Sequence, residues 1–306
     1  MLGSANVDIA LRVPELPKAG ETVLGGTRLS GPGGKGLNQA VAAARAGART
    51  RFVGAVGRDP EGAELLRVLA ADGIEALVRT TNGRTGLAVV IVDAAGENAI
   101  VVDPGANAEL VGLGAAERTA VTAAQVLLMQ LEIPLPTVTE AAQLARAAGT
   151  TVVLNAAPQA PLDRPLCDSI DLLLVNEGEA RALAADTSPS GGSGDGRGST
   201  AEAVDRDVDR LLERVPAVLV TLGPRGALYR DRAGARHHEP GRPVTVVDST
   251  AAGDSFAGYL AAALTDGLPV PVALARANAA AALSVGRRGA VPAVPHRRDV
   301  DAFAAC

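Results

Sequence analysis

The sequence predicts an α/β fold, a largely parallel sheet covered by helices with a small separate sheet beside it. Three observations lead there. Short apolar runs alternate with longer helix-like stretches for most of the 306 residues, the pattern of repeated strand–helix–strand units. That length suffices for one large α/β domain. Two segments early in the chain break the alternation, and both look like antiparallel ribbons rather than members of the main sheet.

Taken in order, the first ribbon is "ETVLGGTRLSG" (21–31), followed by the glycine turn and helix of "SGPGGKGLNQAVAAARAG" (30–47). "TRFVGAV" (50–56) reads as a strand, and "PEGAELLRVLAADG" (60–73) as a helix with Pro at its start and Gly at its end. "TGLAVVIVDAAGENAIVVD" (85–103) is a hairpin turning at "AAGE". With the first ribbon it predicts a lid formed by about residues 10–32 and 85–104. "AQVLLMQL" (124–131), "TTVVLNA" (150–156), "IDLLLVN" (170–176) and "PAVLVTLG" (216–223) are four buried strands. Helical stretches at 136–148, 177–185 and 201–215 separate them. Alanine-rich helices near 252–266 and 269–286 close the fold. Between the stretches 177–185 and 201–215, "DTSPSGGSGDGRGST" (186–200) is too rich in Gly and Ser to bury apolar area that would offset chain ordering, and is expected to be a flexible, dispensable insertion.

Composition narrows the function. Aromatic residues are only 2% against 47% hydrophobic, so the core must be built from Ala, Val and Leu. A net charge of −5 and the lack of a basic stripe interleaved with aromatics argue against nucleic-acid binding. No apolar run is long enough for a membrane span, and the start lacks a signal-peptide pattern. Two cysteines, Cys167 and Cys306, lie far apart without metal-ligand spacing, which points to a reducing, cytoplasmic setting. His237, His238 and His296 sit in Arg- and Pro-rich segments and read as surface residues.

Five short motifs carry chemistry. Gly31, Gly33 and Gly36 satisfy the spacing of a dinucleotide fingerprint, but no buried strand precedes them, and Gly36 after Lys35 excludes a P-loop. What remains is a glycine turn entering a helix. Amides around Gly33 and Gly34 can face a polyol there, with Lys35 and Asn38 nearby; an ordinary helix entry with an exposed Lys is the competing account. Asn6 and Asp8, two apart in an extended segment, share one face and form a fork of amide and carboxylate suited to adjacent hydroxyls, or belong to a simple turn. Asn176 and Glu179 follow a buried strand, where open α/β sheets bind ligands; they suit hydrated Mg²⁺ or phosphate, or else make a capping box. "VTLGPRGALY" (220–229) turns at the same end of the sheet and can receive phosphates or ribose.

The last motif, "VTVVDSTAAGDSFAGYLAAAL" (244–264), sets a carboxylate at a helix mouth behind residues with almost no side chain. Free amides at Ala251, Ala252, Gly253 and Asp254 would face an anion, favoured further by the helix dipole. Asp254 beside them would repel that anion. The conflict makes sense where Asp254 takes a proton from a hydroxyl attacking a phosphate, which is phosphoryl transfer.

With "GGKGLNQA", "NEGE" and "DSTAAGDSF" in this order, the chain resembles the ribokinase (phosphofructokinase-B type) carbohydrate kinases from residue 3 to residue 295. The resemblance implies a three-layer αβα domain over residues 1–306 with a β-sheet lid. It implies ATP-dependent phosphorylation of a sugar primary hydroxyl, D-ribose giving ribose 5-phosphate, with another sugar or a nucleoside as the alternative acceptor and a non-catalytic sensor as a remoter one. The sugar would be held by Asn6, Asp8, Gly34, Lys35, Asn38 and Glu132, with Asp254 as base. ATP would be held by Asn176, Thr221, Gly223, Gly226, Gly253 and Asn278, with Glu179 acting indirectly on Mg²⁺. A K⁺ activator would take ligands from Asp248, Thr250, Ser284, Arg287, Gly289 and Ala293, the last standing where the family often has Ser. Asn278 stands where a His often lies against adenine. Only Met1 and Leu2 precede "GSANVD", where the family has a full central strand. A homodimer joined through the lids is also implied, and is favoured by the apolar runs at 87–92 and 99–102.

Overall fold

The computed structural model describes residues 1–95, 97–185 and 200–304, so the insertion expected at 186–200 lies, apart from Thr200, outside the described residues. The chain begins with β1 (Asn6–Arg12), β2 (Arg28–Gly33), α1 (Lys35–Arg45), β3 (Arg51–Gly57), α2 (Pro60–Ala71), β4 (Glu75–Thr81), β5 (Gly86–Val92) and β6 (Asn98–Asp103). It continues through α3 (Ala115–Thr122), β7 (Val126–Met129), α4 (Leu135–Ala147), β8 (Thr151–Asn155), α5 (Arg164–Cys167), β9 (Leu172–Asn176) and α6 (Glu177–Ala185). Then come α7 (Ala201–Leu212), β10 (Ala217–Thr221), β11 (Ala227–Asp231), β12 (Arg236–Glu239), α8 (Ala252–Thr265), α9 (Val270–Ser284) and α10 (Arg297–Ala304). Boundaries follow local chemistry: α2, for example, has Pro60 at its first position, and Asp59 Oδ1 accepts from the Gly62 amide at 2.8 Å.

The main sheet runs β12-β11-β10-β9-β8-β7, with β7 to β10 parallel and the last two strands antiparallel. The parallel pair β3-β4 joins it through Leu2 alone, which bridges Val53 on one side and Met129 on the other. That bridge is held by the Leu2 amide on Leu128 O at 3.1 Å and the Gly3 amide on Val53 O at 3.1 Å.

Side chains alternate across these strands, so each strand feeds two cores. Val53, Leu127, Met129, Val152, Leu154, Val218 and Val220 pack one way, against α3 to α7. Phe52, Val56, Leu128, Val153, Leu174 and Leu219 pack the other way, against α1, α2, α8, α9 and α10. Each fully buried Leu or Phe contributes about 1.5–3 kcal/mol. The result is a helix–sheet–helix sandwich with a mostly parallel centre. Among the described residues no helix is long and apolar enough to cross a membrane.

The second sheet has the order β2-β1-β5-β6. It is the small separate sheet expected, but it starts at Asn6 rather than near residue 10, and β1 pairs parallel with β5 while β2 and β6 pair antiparallel outside them. The stretch 13–27 carries no strand, so of the first expected ribbon only residues 28–31 are extended, within β2. The hairpin of β5 and β6 does form.

Candidate active site

The centre of the site comes from the packing of α1 on α8. Gly258 makes it possible: a Cβ there would lie 2.4 Å from Ala42 Cβ and 2.5 Å from Gln39 O, so only glycine lets the helices come this close. Asn38 and Gln39 on α1 are thereby brought against Asp254 in the first turn of α8. Asn38 Nδ2 donates to Asp254 Oδ2 at 2.9 Å, and Gln39 Nε2 donates to Asp254 Oδ1 at 2.8 Å. Asp254 is 7% exposed, so this pair of donors fixes a nearly buried carboxylate. Asn38 Oδ1 is buried and has no partner among the described residues, an acceptor left for a ligand's hydroxyl.

The mouth of α8 is shaped as the sequence suggested, with one exception. Among the described residues, the amides of Ala251, Gly253 and Asp254 have no acceptor. The Ala252 amide, expected to be free as well, donates to Ser249 O at 3.3 Å, because the chain turns tightly there before the helix. Ala251 stands at φ 57°, the left-handed region, the single non-glycine in the described chain to do so. Such a residue costs about 1–2 kcal/mol. The strain aims adjoining amides out of the helix start.

On the lid side, Asn6 and Asp8 leave the same face of β1. Asn6 is buried, and its Oδ1 accepts from Asn107 Nδ2 at 2.7 Å, while Asn107 Oδ1 accepts from the Ala5 amide at 2.9 Å. Gly34, at φ 87°, turns the chain into α1 directly over the Asn6 amide. Glu132 Oε2 accepts from Ser4 Oγ and from the Lys35 amide at 3.1 Å. Asp8, Glu132, Lys35 and Asp254 feel one another's charge. Burial, then the charges of Glu132 and Asp254, push the Asp8 carboxyl up to about 7, against the pull of Lys35. Burial lowers the Lys35 ammonium, but Asp254, Glu132, Glu179 and Asp8 more than offset it, and its net shift is upward.

Glu179 and Asn176 form the capping box that competed with a ligand role. The Asn176 amide donates to Glu179 Oε2 at 2.8 Å, and the Glu179 amide to Asn176 Oδ1 at 2.8 Å. A ligand role survives beside it, since both line a cavity with Lys35, Asn155, Thr221 and residues 251–254. Burial raises the Glu179 carboxyl, with the Asn176 amide and Lys35 acting against it and Asp254 with it.

Three cavities share walls here. One of about 770 Å³ lies under the lid between Ile100, Val102, Lys35, Glu132 and Glu179. The second, about 270 Å³, shares Lys35 and Glu179 with it and ends at Ala251–Asp254. The third, about 550 Å³, shares Thr221, Ser249, Ala252 and Gly253 with the second, and is lined also by Gly223, Gly226, Val246 and Asn278. In it Asn278 Nδ2 donates to Pro240 O at 2.6 Å. A cavity of about 260 Å³ at the opposite end of the sheet is lined by none of the expected site residues.

The expected cation ligands lie beside the α8 mouth. Asp248 Oδ1 accepts from the Thr250 amide at 3.0 Å and Thr250 Oγ1 at 2.6 Å, and its Oδ2 accepts from the Gly289 amide at 2.9 Å. Among the described residues, the carbonyls of Asp248, Thr250, Arg287 and Gly289 accept no main-chain hydrogen bond, whereas the Ser284 carbonyl already accepts from the Arg287 amide at 3.0 Å. Ala293 is buried and offers no side-chain oxygen. No group of three or more His, Cys, Asp or Glu among the described residues could enclose a metal ion.

Gln39, Gln130, Asn155 and Asn107 are the site residues that sequence reasoning missed. Gln39 stood next to Asn38 in a motif already singled out, which was its only signal.

The sequence matches the pfkB family carbohydrate kinase over residues 1–297. Ribokinase of Haemophilus influenzae is 37% identical over 306 residues, covering 99% of this chain and 97% of that protein. Ribokinase of Schizosaccharomyces pombe is 36% identical over 313 residues, covering 98% and 96%. The structure of Arabidopsis thaliana ribokinase complexed with ribose and ATP aligns with a TM-score of 0.90 at 32% identity, covering 100% of this chain and 97% of that one.

Proposed function

The chain belongs to the pfkB family of carbohydrate kinases, and from that premise we propose that it transfers phosphate from ATP to the primary hydroxyl of D-ribose, giving ribose 5-phosphate. One observation carries the reading: a carboxylate gripped by two amide donors stands in the first turn of a helix whose neighbouring main-chain amides are unpaired. A general base and an anion site at this distance are what hydroxyl attack on a phosphoryl group requires.

In this reading the sugar lies in the cavity under the lid. Asn6, Asp8, Gly34, Lys35, Asn38 and Glu132 meet its hydroxyls, and the unpartnered Asn38 Oδ1 takes one of them. Asp254 accepts the proton of the primary hydroxyl. The amides of Ala251, Gly253 and Asp254 take up negative charge on the transferring group, a preorganised contribution that needs no rearrangement during reaction. Asn176, Thr221, Gly223, Gly226, Gly253 and Asn278 line the nucleotide side. ATP with Mg²⁺ supplies the phosphoryl group and neutralises its charge when bound. In this reading Glu179 acts on Mg²⁺ indirectly. The open carbonyls of Asp248, Thr250, Arg287 and Gly289 suit K⁺, which would steady the loop before α8. Val101 on β6, 67% exposed on the lid's outer face, supports a homodimer through the lids.

The test is ADP release across D-ribose, other sugars and nucleosides, with ³¹P NMR of the product. D-Ribose should give the highest kcat/KM and a phosphomonoester on C5. A higher kcat/KM for a nucleoside or another sugar would overturn the ribose reading.

A further inference from the structure

The proposed chemistry uses Asp254, yet it leaves unexplained a row of buried amides behind that residue. Gln39 is fully buried on α1. Its Nε2 spends both protons, one on Asp254 Oδ1 at 2.8 Å and one on Asn155 Oδ1 at 2.9 Å. Its Oε1 accepts from Gln130 Nε2 at 2.5 Å. Gln130 follows β7 and is itself fully buried, and its own Oε1 has no partner in the protein. Asn155 ends β8 and donates from Nδ2 to Leu174 O at 3.3 Å. The row therefore runs from the carboxyl ends of two central strands to the carboxylate on α8.

A glutamine amide has a donor end and an acceptor end of nearly the same shape. Turned over, Gln39 would set its oxygen against the Asp254 carboxylate in a site where water does not screen the repulsion. Gln130 opposes this too, because one N–H of its Nε2 has its oxygen acceptor in Gln39 Oε1, the other pointing to Met1 Sδ at 3.3 Å. Apart from Gly36 and Asn38, the other buried residues of α1 are Ala, Val and Leu. An apolar side chain would satisfy packing there, so the buried amides are explained by what they hold.

We infer that Gln39 is a positioning residue for Asp254 and that Gln130 sets the direction of the Gln39 amide. With Asn38 on one oxygen and Gln39 on the other, the carboxylate plane is fixed, and its charged form is stabilised by two donors. This rests on the proposed phosphoryl transfer.

The experiment compares wild type with Gln39→Leu, Gln130→Leu and the double variant, using the best acceptor of the substrate panel. Gln39→Leu should lower kcat by about 10- to 100-fold, the worth of one hydrogen bond to a charged group, with the KM for ATP little changed. The acid limb of its pH–kcat profile should move to higher pH. Gln130→Leu should lower kcat less, and should have no further effect in the Gln39→Leu background, since two groups acting through one contact are not additive. Gln39→Glu keeps the volume but replaces the donor by an acceptor; it covers the case in which Gln39→Leu fails to fold, and it too should shift the acid limb upward. An active wild type whose Gln39 variants share its kcat and pH profile overturns this inference alone, as do additive effects of the two leucine substitutions. A wild type that phosphorylates nothing in the panel removes the kinase reading and this inference together.

Discussion

Asp8, proposed to meet the sugar's hydroxyls, carries a cost in stability. Burial, with the charges of Glu132 and Asp254, pushes its carboxyl up from 3.8 to about 7, while Lys35 pulls it back. The folded chain therefore holds this proton more tightly than the unfolded chain does. The stability involved is fully present below pH 3.8 and is lost as the pH rises through about 7. Asp8→Asn removes the ionisation, so it should melt above wild type at pH 8, by on the order of 2 kcal/mol, and close to it at pH 4. Its KM for the sugar should rise. Thermal melts across pH decide this, and parallel curves for the two proteins would contradict it. Asn6, Asp8, Asn38 and Asp254 were legible because each stands in a short motif whose spacing has a chemical reading. Gln39, Gln130, Asn155 and Asn107 were not. A lone amide on an alanine-rich helix or at a strand end carries no local pattern, and the bond from Gln39 to Asp254 spans 215 positions in the chain.

Two loops at the mouth of α8 are tied by one side chain. Asp248 takes the amides of Thr250 and Gly289, so the turn that presents the anion site depends on the segment after α9. Both amides and the Thr250 hydroxyl favour its charged form, and the net shift of its carboxyl is downward although burial opposes it. A K⁺ ion on the open carbonyls would stiffen the same junction. Activity is expected to rise with K⁺ when ionic strength is held constant with tetramethylammonium, and Asp248→Ala should flatten the response. A wild type indifferent to K⁺ would show that the loop needs no ion. Elements buried on both faces were readable from their apolar runs, among them β3, β7, β8, β9 and β10. Strands β4, β11 and β12 escaped, because they lie toward the sheet's edges, where polar residues such as Arg79, Arg230 and His238 replace the apolar run. The stretch 244–247 has the opposite character. It is β-branched and apolar but stays out of the sheet, with Val246 and Val247 64% and 47% exposed, and Val244 and Val246 line the cavity proposed for the nucleotide.

At the scale of the molecule, the lid divides its apolar residues between two faces. Register pairs Val90 with Ile100 and Val89 with Val101. Ile100 and Val102 front the cavity proposed for the sugar, so Val90 shares that inner face and Val101 lies on the outer one. The two faces can be tested separately. Val101→Asp, at a residue 67% exposed, should weaken a lid-to-lid dimer in sedimentation experiments. Val90→Lys should raise the KM for sugar, since it sets a charge toward the cavity. A wild-type monomer at micromolar concentration with full activity would rule out the dimer. A largely parallel sheet covered by helices was legible from strand–helix alternation, and its three layers from the family resemblance. The parallel pairing of β1 with β5 was not, because partners in a mixed sheet are chosen by tertiary geometry that period-2 patterning does not encode.

The central claim is that Asp254 is the base for phosphoryl transfer, and one measurement meets it directly. ATP affinity by calorimetry and kcat with D-ribose are measured on wild type and Asp254→Asn, an isosteric change that keeps the contact surface. ATP should bind both proteins equally, and kcat should fall by about 10²–10⁴. A variant that binds ATP and turns over at near the wild-type rate would contradict the claim.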